Sequence, residues 1–279
     1  MQILDGKKIK QEKIEELKKE ISTLKRKPGL AVIQVGDNPA SNVYVSNKEK
    51  TGLELGCNFE YIKFPEDVQE DLILATIDRL NDDMSIDGII VQLPLPEHLN
   101  KEKIQNRVCH KKDVDGLTDI NAGLLMHNKD CLVPCTPNGI LEILKYYDIS
   151  VSGKNVVIVG RSELVGRPMF SLMLNNNATV TICHSYTSNL KDITKTADIL
   201  IVAVGKKHMI TSSMVKEGAV VIDVGINRAD GKIYGDVNYE EVKDICSYIT
   251  PVPGGVGQMT VLSIYQNLLK AYKNNNLDM

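Results

Sequence analysis

A series of short apolar runs beyond Lys154 restricts this chain most. NVVIVG, ATVTIC, DILIVAVG, AVVIDVG and SYIT follow one another, with a glycine-bearing loop or helical patterns between them. Runs of about four to eight apolar residues bounded by turn residues read as strands buried on both faces. Such strands need helices above and below, so the block is predicted to be a doubly wound, nucleotide-binding type of sheet.

The first third alternates in the same way. The opening residues up to Lys25 read as an amphipathic helix, with Ile9, Ile14, Leu17, Ile21 and Leu24 on one stripe. GLAVIQVG reads as a buried strand. Asp37-Asn38-Pro39 is a capped helix start, and that helix is predicted to run to about Leu55 and stop at Gly56. NFEYIKF is strand-like, QEDLILATIDRLND helical, and DGIIVQLP a buried strand leading into a proline-rich loop. Thr136-Pro137 starts a further helix, and Pro251-Val252-Pro253-Gly254-Gly255 precedes a last one from Gln258 to about Lys273. At 279 residues and roughly 150 per domain, two α/β domains are expected. The two hinges suggest that the five-strand block, 137–253, is inserted into a domain made of 1–136 and completed by 254–279.

Composition narrows the function classes. Lys+Arg 33 against Asp+Glu 36 leaves a formal charge of −3, so nucleic acid is not an expected partner. The longest clean apolar run, Ile199–Val204, is far short of the ~18 residues of a membrane span. MQILDGKKIK lacks the apolar stretch of a signal peptide. No membrane partner and a cytoplasmic location are expected. Of the six cysteines only Cys131 and Cys135 are close, and the five histidines do not repeat at ligand spacing. No metal site and no disulfide framework are expected.

Several segments could carry chemistry. Val159-Gly160-Arg161-Ser162-Glu163-Leu164-Val165-Gly166-Arg167-Pro168 follows a strand and opens a helix, where backbone N–H groups can face a pyrophosphate. Ser162 stands in place of a middle glycine and the spacing is one residue longer than G-x-G-x-x-G, so an ordinary βα turn also fits. The next strand ends in Cys183-His184-Ser185, where an NAD site usually has an acid. With Arg161 in the loop, this favours NADP over NAD, because a 2′-phosphate is attracted by Arg and hydroxyl donors; an Arg161 pointing to solvent is the alternative.

Tyr44 and Lys48 are four apart on a predicted helix and share a face. They offer a flat ring and a titratable amine, though surface Tyr–Lys pairs have the same spacing. Gln92 lies in VQLPLP at a strand's carboxyl end, where ligands gather in open α/β sheets. Asp115 lies in Lys112-Asp113-Val114-Asp115-Gly116, which suits a tight loop presenting a carboxylate or a solvated turn. The second hinge, through Gly257, is dense enough in turn residues to allow close backbone approach to a ligand.

Taken in order, VQLPLP, KDVDGLT, INAG, PCTPNG, VVIVGRSELVGRP, ATVTICHS, VIDVGIN, GDV and ITPVPGGVGQMT resemble the methylenetetrahydrofolate dehydrogenase/methenyltetrahydrofolate cyclohydrolase family. The likeness runs from about Asp5 to the C-terminal helix, so an attached formyltetrahydrofolate synthetase domain is not expected. Gln258 departs from it, standing where the family usually has proline, which is expected to alter the local turn more than the chemistry.

The resemblance implies a folate-binding α/β domain, split in sequence, around a Rossmann-like dinucleotide domain, in a homodimer. It makes Lys48 the catalytic lysine, Tyr44 the ring that stacks on the substrate's aminobenzoate, Gln92 the glutamine beside the lysine, and Asp115 the acid that holds the pterin. It places Gly160, Arg161, Ser162, Val165 and Gly166 in the dinucleotide loop and His184 and Ser185 at the ribose-phosphate end. Gly225, Ile226 and Asn227 fall near the nicotinamide, and Gly254, Gly255 and Thr260 near the substrate.

The implied substrate is a tetrahydrofolate and the implied cofactor is NADP, with NAD less favoured. Hydride loss from the bridging carbon of 5,10-methylenetetrahydrofolate leaves an amidinium and needs positioning rather than a base. Hydrolysis to 10-formyltetrahydrofolate moves protons and needs a general acid–base group. Bringing a lysine to a pKa of about 7–8 requires roughly 4 kcal/mol of bias against its charged form. Gln92 is expected to orient the amine without adding a carboxylate. Two alternatives stand beside this reading. One is a dehydrogenase lacking the hydrolytic half or acting on another substrate, separable by parallel assays. The other is a catalytically silent nucleotide-binding regulator, against which the joint presence of Lys48, Gln92 and Asp115 argues.

Overall fold

The computed structural model describes residues 1–229 and 231–276. In chain order its elements are β1 (Gln2–Ile3), α1 (Gly6–Ser22), β2 (Gly29–Val35), α2 (Pro39–Leu55), β3 (Asn58–Phe64), α3 (Glu70–Asp82) and β4 (Gly88–Val91). They continue with α4 (Lys101–Arg107), α5 (Asp119–Met126), α6 (Cys135–Tyr146), β5 (Asn155–Val159), α7 (Gly166–Asn175), β6 (Thr179–Cys183), α8 (Leu190–Thr194) and β7 (Ile199–Val202). The last are β8 (Val220–Asp223), β9 (Asn227–Ala229), β10 (Lys232–Tyr234), α9 (Tyr239–Val242), β11 (Tyr248–Ile249) and α10 (Val256–Asn275). Among the described residues no helix is long and apolar enough to cross a membrane.

The chain forms two compact units: Glu12–Cys135 with the chain from Val261 on, and Met1–Gln11 with Thr136–Thr260. These bounds differ from the expected 1–136, 137–253 and 254–279 at both ends of the chain. The first eleven residues join the second unit because β1 pairs in parallel with β11, Gln2 opposite Tyr248 and Ile3 opposite Ile249. A two-residue strand has no periodicity to read, which is why the sequence showed only a helix there. Residues 277–279 of the expected C-terminal segment lie outside the described residues.

The first unit is built on a parallel three-stranded sheet in the order β3-β2-β4. Central β2 is buried along its whole length. Ala31, Ile33 and Val35 on one of its faces pack with Ile73, Ile77 and Leu80 of α3 and Ile104 of α4. The spacing of four and three between those α3 residues is the helical apolar stripe that matches one sheet face. Helix α2 starts where the sequence predicts: Asn38 Oδ1 accepts from Ala40 N at 2.9 Å and Pro39 fills the first turn.

The second unit carries the five expected strands plus β1, all parallel, in the order β1-β11-β8-β7-β5-β6. The order in which strands are added reverses at β5, with β6 on one side and β7 on the other, and ligands of open parallel sheets bind outside the carboxyl ends at such a point. The β9–β10 hairpin after β8 was not legible in the sequence.

Beyond β8 two motifs interlock. The Asp223 carboxylate accepts from Gly225, Asp236 and Val237 N–H, each at 2.9 Å. Asp236 in turn accepts from Val204 N at 2.7 Å, Gly205 N at 3.0 Å, Lys206 N at 2.8 Å and Asn227 Nδ2 at 2.9 Å. Burial pushes the Asp223 carboxyl up to about 6, against the pull of its three N–H donors. A side chain at Gly235 would place Cβ 1.8 Å from Asp223 Oδ2, and one at Gly225 would place it 2.3 Å from Asp236 Cγ. The glycines of VIDVGIN and GDV are thus steric partners of each other's aspartates. Gly235→Ala is expected to destabilise the chain by about 1–3 kcal/mol through overpacking; a denaturant midpoint equal to wild type would show that the loop absorbs the methyl.

Candidate active site

In the first unit α2 carries Tyr44 and Lys48, and the segments after β4 carry Gln92 and Asp115. Tyr44 is 44% exposed, whereas Lys48, one turn on, is only 7% exposed. Lys48 Nζ donates to Gln92 Oε1 at 2.6 Å, and Gln92 Nε2 donates to Leu93 O at 2.7 Å, which sets the amide's orientation. Ser41 Oγ donates to the same carbonyl at 3.4 Å, tying the start of α2 to the VQLPLP loop.

Asp115 comes from a loop whose other charged residues hold the backbone. Lys112 Nζ donates to the carbonyls of Leu80, Asn81 and Asp83 at the end of α3, at 3.0, 2.7 and 2.8 Å. Asp113 accepts from Gly116 N at 3.0 Å, Leu117 N at 3.1 Å, Thr118 N at 2.8 Å and Asn121 Nδ2 at 2.9 Å. Asp115 is the acid of KDVDG that the loop does not use in this way.

Burial pushes the Lys48 ammonium down and the Asp115 carboxyl up, while their mutual attraction opposes both shifts. Gln92 is the hydrogen-bond partner of Lys48, and Asp115, which the sequence did not place beside the amine, supplies a nearby charge. Cys135 belongs to the same cluster and was missed. Its thiol donates to Val114 O at 3.2 Å, and burial together with the Asp115 charge raises it well above the ordinary thiol range. It therefore stands as a neutral thiol rather than a nucleophile. PCTPNG was visible in the sequence, but only its helix start was read. Among the described residues no cluster of His, Cys, Asp and Glu could hold a metal ion.

The second unit has a pocket where its strand order reverses. Gly160, Arg161, His184, Ser185, Val204 and Lys206 are among its lining residues, and no described lining residue is a carboxylate. Gly160 has φ +127, and a Cβ there would fall 2.2 Å from Ala203 O; a Cβ on Gly166 would fall 2.1 Å from Gly160 O. The turn and the helix start are thus packed too closely for side chains. Ser162 Oγ accepts from Val165 N at 3.3 Å at the helix entrance. The Arg161 guanidinium lies over the Tyr186 ring at 5.6 Å, and His184 Nδ1 accepts from Tyr186 N at 3.2 Å.

Gly225, Ile226 and Asn227 leave β8 beside this pocket's Val204–Lys206 wall, through their shared partner Asp236. Ile226 is 49% exposed. Gly254 has φ +115, and Thr260 Oγ1 lies 3.4 Å from Thr136 Oγ1. Gly254, Gly255 and Thr260 group with this unit rather than with the one holding Lys48. Gln258 sits in the first turn of α10, and its N–H, which proline would lack, donates to Gly255 O at 3.1 Å. Sequence reasoning also missed Lys206 and Asp236; only the GDV string pointed to the latter.

Fold and pocket together define a two-unit α/β protein of the dinucleotide-binding class. Residues 4–115 match the tetrahydrofolate dehydrogenase/cyclohydrolase catalytic domain, and residues 134–276 match the NAD(P)-binding domain of the same family. The chain belongs to the tetrahydrofolate dehydrogenase/cyclohydrolase family. It is 50% identical over 275 residues to the bifunctional protein FolD of Bacillus cytotoxicus, covering 97% of this chain and 96% of that one. The bifunctional enzyme FolD of Campylobacter jejuni is 47% identical, with a TM-score of 0.97 over 98% of this chain and 99% of that one. The Trypanosoma brucei dehydrogenase-cyclohydrolase, solved with NADP and an inhibitor, is 33% identical, with a TM-score of 0.92 over 98% and 97%.

The Asp113 geometry yields a prediction independent of substrate. Asp113→Ala leaves three N–H groups and the Asn121 amide without their acceptor. The loss is expected to be about 1–3 kcal/mol, read as a lowered midpoint in urea. An unchanged midpoint would show that Asp113 does not hold the loop.

Proposed function

We propose that this chain catalyses two consecutive steps at one folate carbon. The first is NADP-linked oxidation of 5,10-methylenetetrahydrofolate to 5,10-methenyltetrahydrofolate, and the second is hydrolysis of that product to 10-formyltetrahydrofolate. The unit holding Lys48 takes the folate and the unit holding Arg161 takes the dinucleotide, in a homodimeric cytoplasmic enzyme. The observation that carries the reading is the buried Lys48 amine on Gln92 with the Asp115 charge beside it. A merely structural buried lysine would be expected to spend its protons on backbone carbonyls, as Lys112 does.

NADP, when bound, supplies the hydride acceptor. The chain's own residues supply position. Tyr44 offers its exposed ring to the aminobenzoyl group, and Asp115 accepts from the pterin amide N–H and amino group. Hydride loss leaves a cation spread over N5 and N10, so no side-chain base is required in that step. In the second step water adds to this carbon while neutral Lys48 takes its proton. The protonated amine then delivers a proton to N5 as the C–N5 bond breaks, and the adduct's hydroxyl proton leaves to solvent. One water is consumed and one proton is released overall. Gln92 Oε1 holds the amine aimed throughout. Gly254, Gly255 and Thr260 are proposed to border the folate, and Gly225, Ile226 and Asn227 the nicotinamide.

On the cofactor side, Gly160, Ser162, Val165 and Gly166 form the pyrophosphate turn, and Arg161, His184 and Ser185 take the 2′-phosphate. The carboxylate-free lining supports NADP over NAD. Arg161→Ala is expected to weaken NADP binding by about 1.5–3 kcal/mol, as for a charged hydrogen bond, and to leave NAD nearly unchanged in a fluorescence titration. Equal losses for both cofactors would remove Arg161 from the 2′-phosphate site.

Lys48 separates the two activities. As a base it must be neutral, so cyclohydrolase turnover should fall as pH drops through its lowered pKa. Lys48→Met should abolish that limb and reduce cyclohydrolase kcat by about 10²–10⁴-fold, while the dehydrogenase loses less and methenyltetrahydrofolate accumulates. Parallel assays of the two half-reactions decide this. Equal loss of both with the fold intact would make Lys48 a binding residue.

A further inference from the structure

The last helix reaches the Lys48 cluster from behind, at two points. Tyr265, on α10, is fully buried. Its hydroxyl donates to the backbone carbonyl of Lys48 at 2.5 Å, and the phenol oxygen in turn accepts from the Gly52 backbone N–H. Lys48 C=O and Gly52 N–H are the two ends of one rung of α2. The phenol is therefore set at that rung, where an inserted group reshapes a helix locally. Space for it exists because residue 52 is glycine: a Cβ there would lie 2.5 Å from the Tyr265 oxygen. Burial raises the phenol above its ordinary range, so it remains a neutral donor at any working pH.

Two residues further on, Asn267 is 5% exposed. Its Nδ2 donates to Val114 O at 2.9 Å and to Val133 O at 2.8 Å. Val114 adjoins Asp115, and Val133 lies two residues before Cys135. One side-chain amide thus ties the aspartate loop to the segment carrying the thiol. Neither Tyr265 nor Asn267 can touch a ligand through these atoms, which are spent on backbone carbonyls.

We propose that Tyr265 and Asn267 are positioning residues for the acid–base step, α10 serving as the common mount that sets Lys48 against Asp115. Tyr265 places the lysine's backbone and Asn267 places the aspartate's. The role rests on the acid–base reading of Lys48 given above. Small misplacements of reacting groups lower rate far more than they lower stability. The contacts therefore act on kcat and on the charge balance of the cluster.

The test uses Tyr265→Phe and Asn267→Ser in the full chain, with Ser263→Ala as control. Ser263 is buried on the same helix and its Oγ has no hydrogen-bond partner among the described residues. Cyclohydrolase kcat should fall by about tenfold or more in the two variants, with KM for NADP within about twofold of wild type. The Lys48 ammonium titration, followed by NMR of 15N-labelled lysine, and the pH–rate profile should both shift. Ser263→Ala should move none of these. If Tyr265→Phe fails to fold, Gly52→Ala displaces the same hydroxyl from the other side. A Lys48 titration that superimposes on wild type in both variants overturns the proposal, whatever the rates. Absence of folate turnover in the unaltered chain refutes the activity instead, and the titration still judges the positioning role.

Discussion

Buried aspartates that collect backbone N–H groups hold together the loop that presents Asp115 and the loops that follow β7 and β8. Asp113 gathers three N–H groups and an amide to build the turn that presents Asp115. Asp223 gathers three beyond β8, and Asp236 gathers three more at the wall of the dinucleotide pocket. Asp87 does the same for the entry to β2, accepting from Gly29 N while pairing with both terminal nitrogens of Arg26 at 2.7 Å. A carboxylate removed from water needs several donors to remain tolerable. Backbone N–H groups at strand ends are donors that would otherwise lack partners. Each requirement answers the other, and Asp223 and Asp236 fix loops at the carboxyl ends of β8 and β7, where ligands of parallel sheets bind.

The folate unit extends this logic to a side-chain amine. Lys112 and Lys48 are both buried, yet they differ in what they face. Lys112 meets three carbonyls, which satisfy all its protons. Lys48 meets one amide oxygen and a nearby charge. Its protonation state is therefore open to influence by what binds beside it, which is the property an acid–base group needs. The cysteine in the same cluster is kept neutral by burial and by Asp115, so it contributes shape and one donor rather than charge.

Much of this was legible along the chain. Asn38, Pro39 and Gly56 marked both ends of α2, and the structure places them there because capping is a local matter of a few residues. Apart from β1, the strands of both sheets were readable, the central ones from apolar runs whose burial on both faces leaves little choice of residue. The close packing of Gly160 and Gly166 also followed from their place between strand and helix. Cys135, Asp236, Tyr265 and Asn267 were not legible as parts of the site. A buried tyrosine or asparagine in a helix looks alike whether its polar atom faces Lys48 O or a water. Likewise Lys112 and Lys48 are the same residue type, and only their neighbours distinguish them.

By itself, the sequence determined the longer elements, the α/β class and the family, because these depend on periodicity, caps and strings of adjacent residues. The tertiary structure decided what depends on residues far apart in the chain. It brought Gln2 and Ile3 into the second sheet through a pairing across more than two hundred residues, and Met1–Gln11 with them into that unit. It also made one helix near the C-terminus a backbone partner of both Lys48 and Val114. The reason is physical: spacing sets which face of an element a side chain occupies, whereas hydrogen-bond partners and local charge depend on which other element packs against that face.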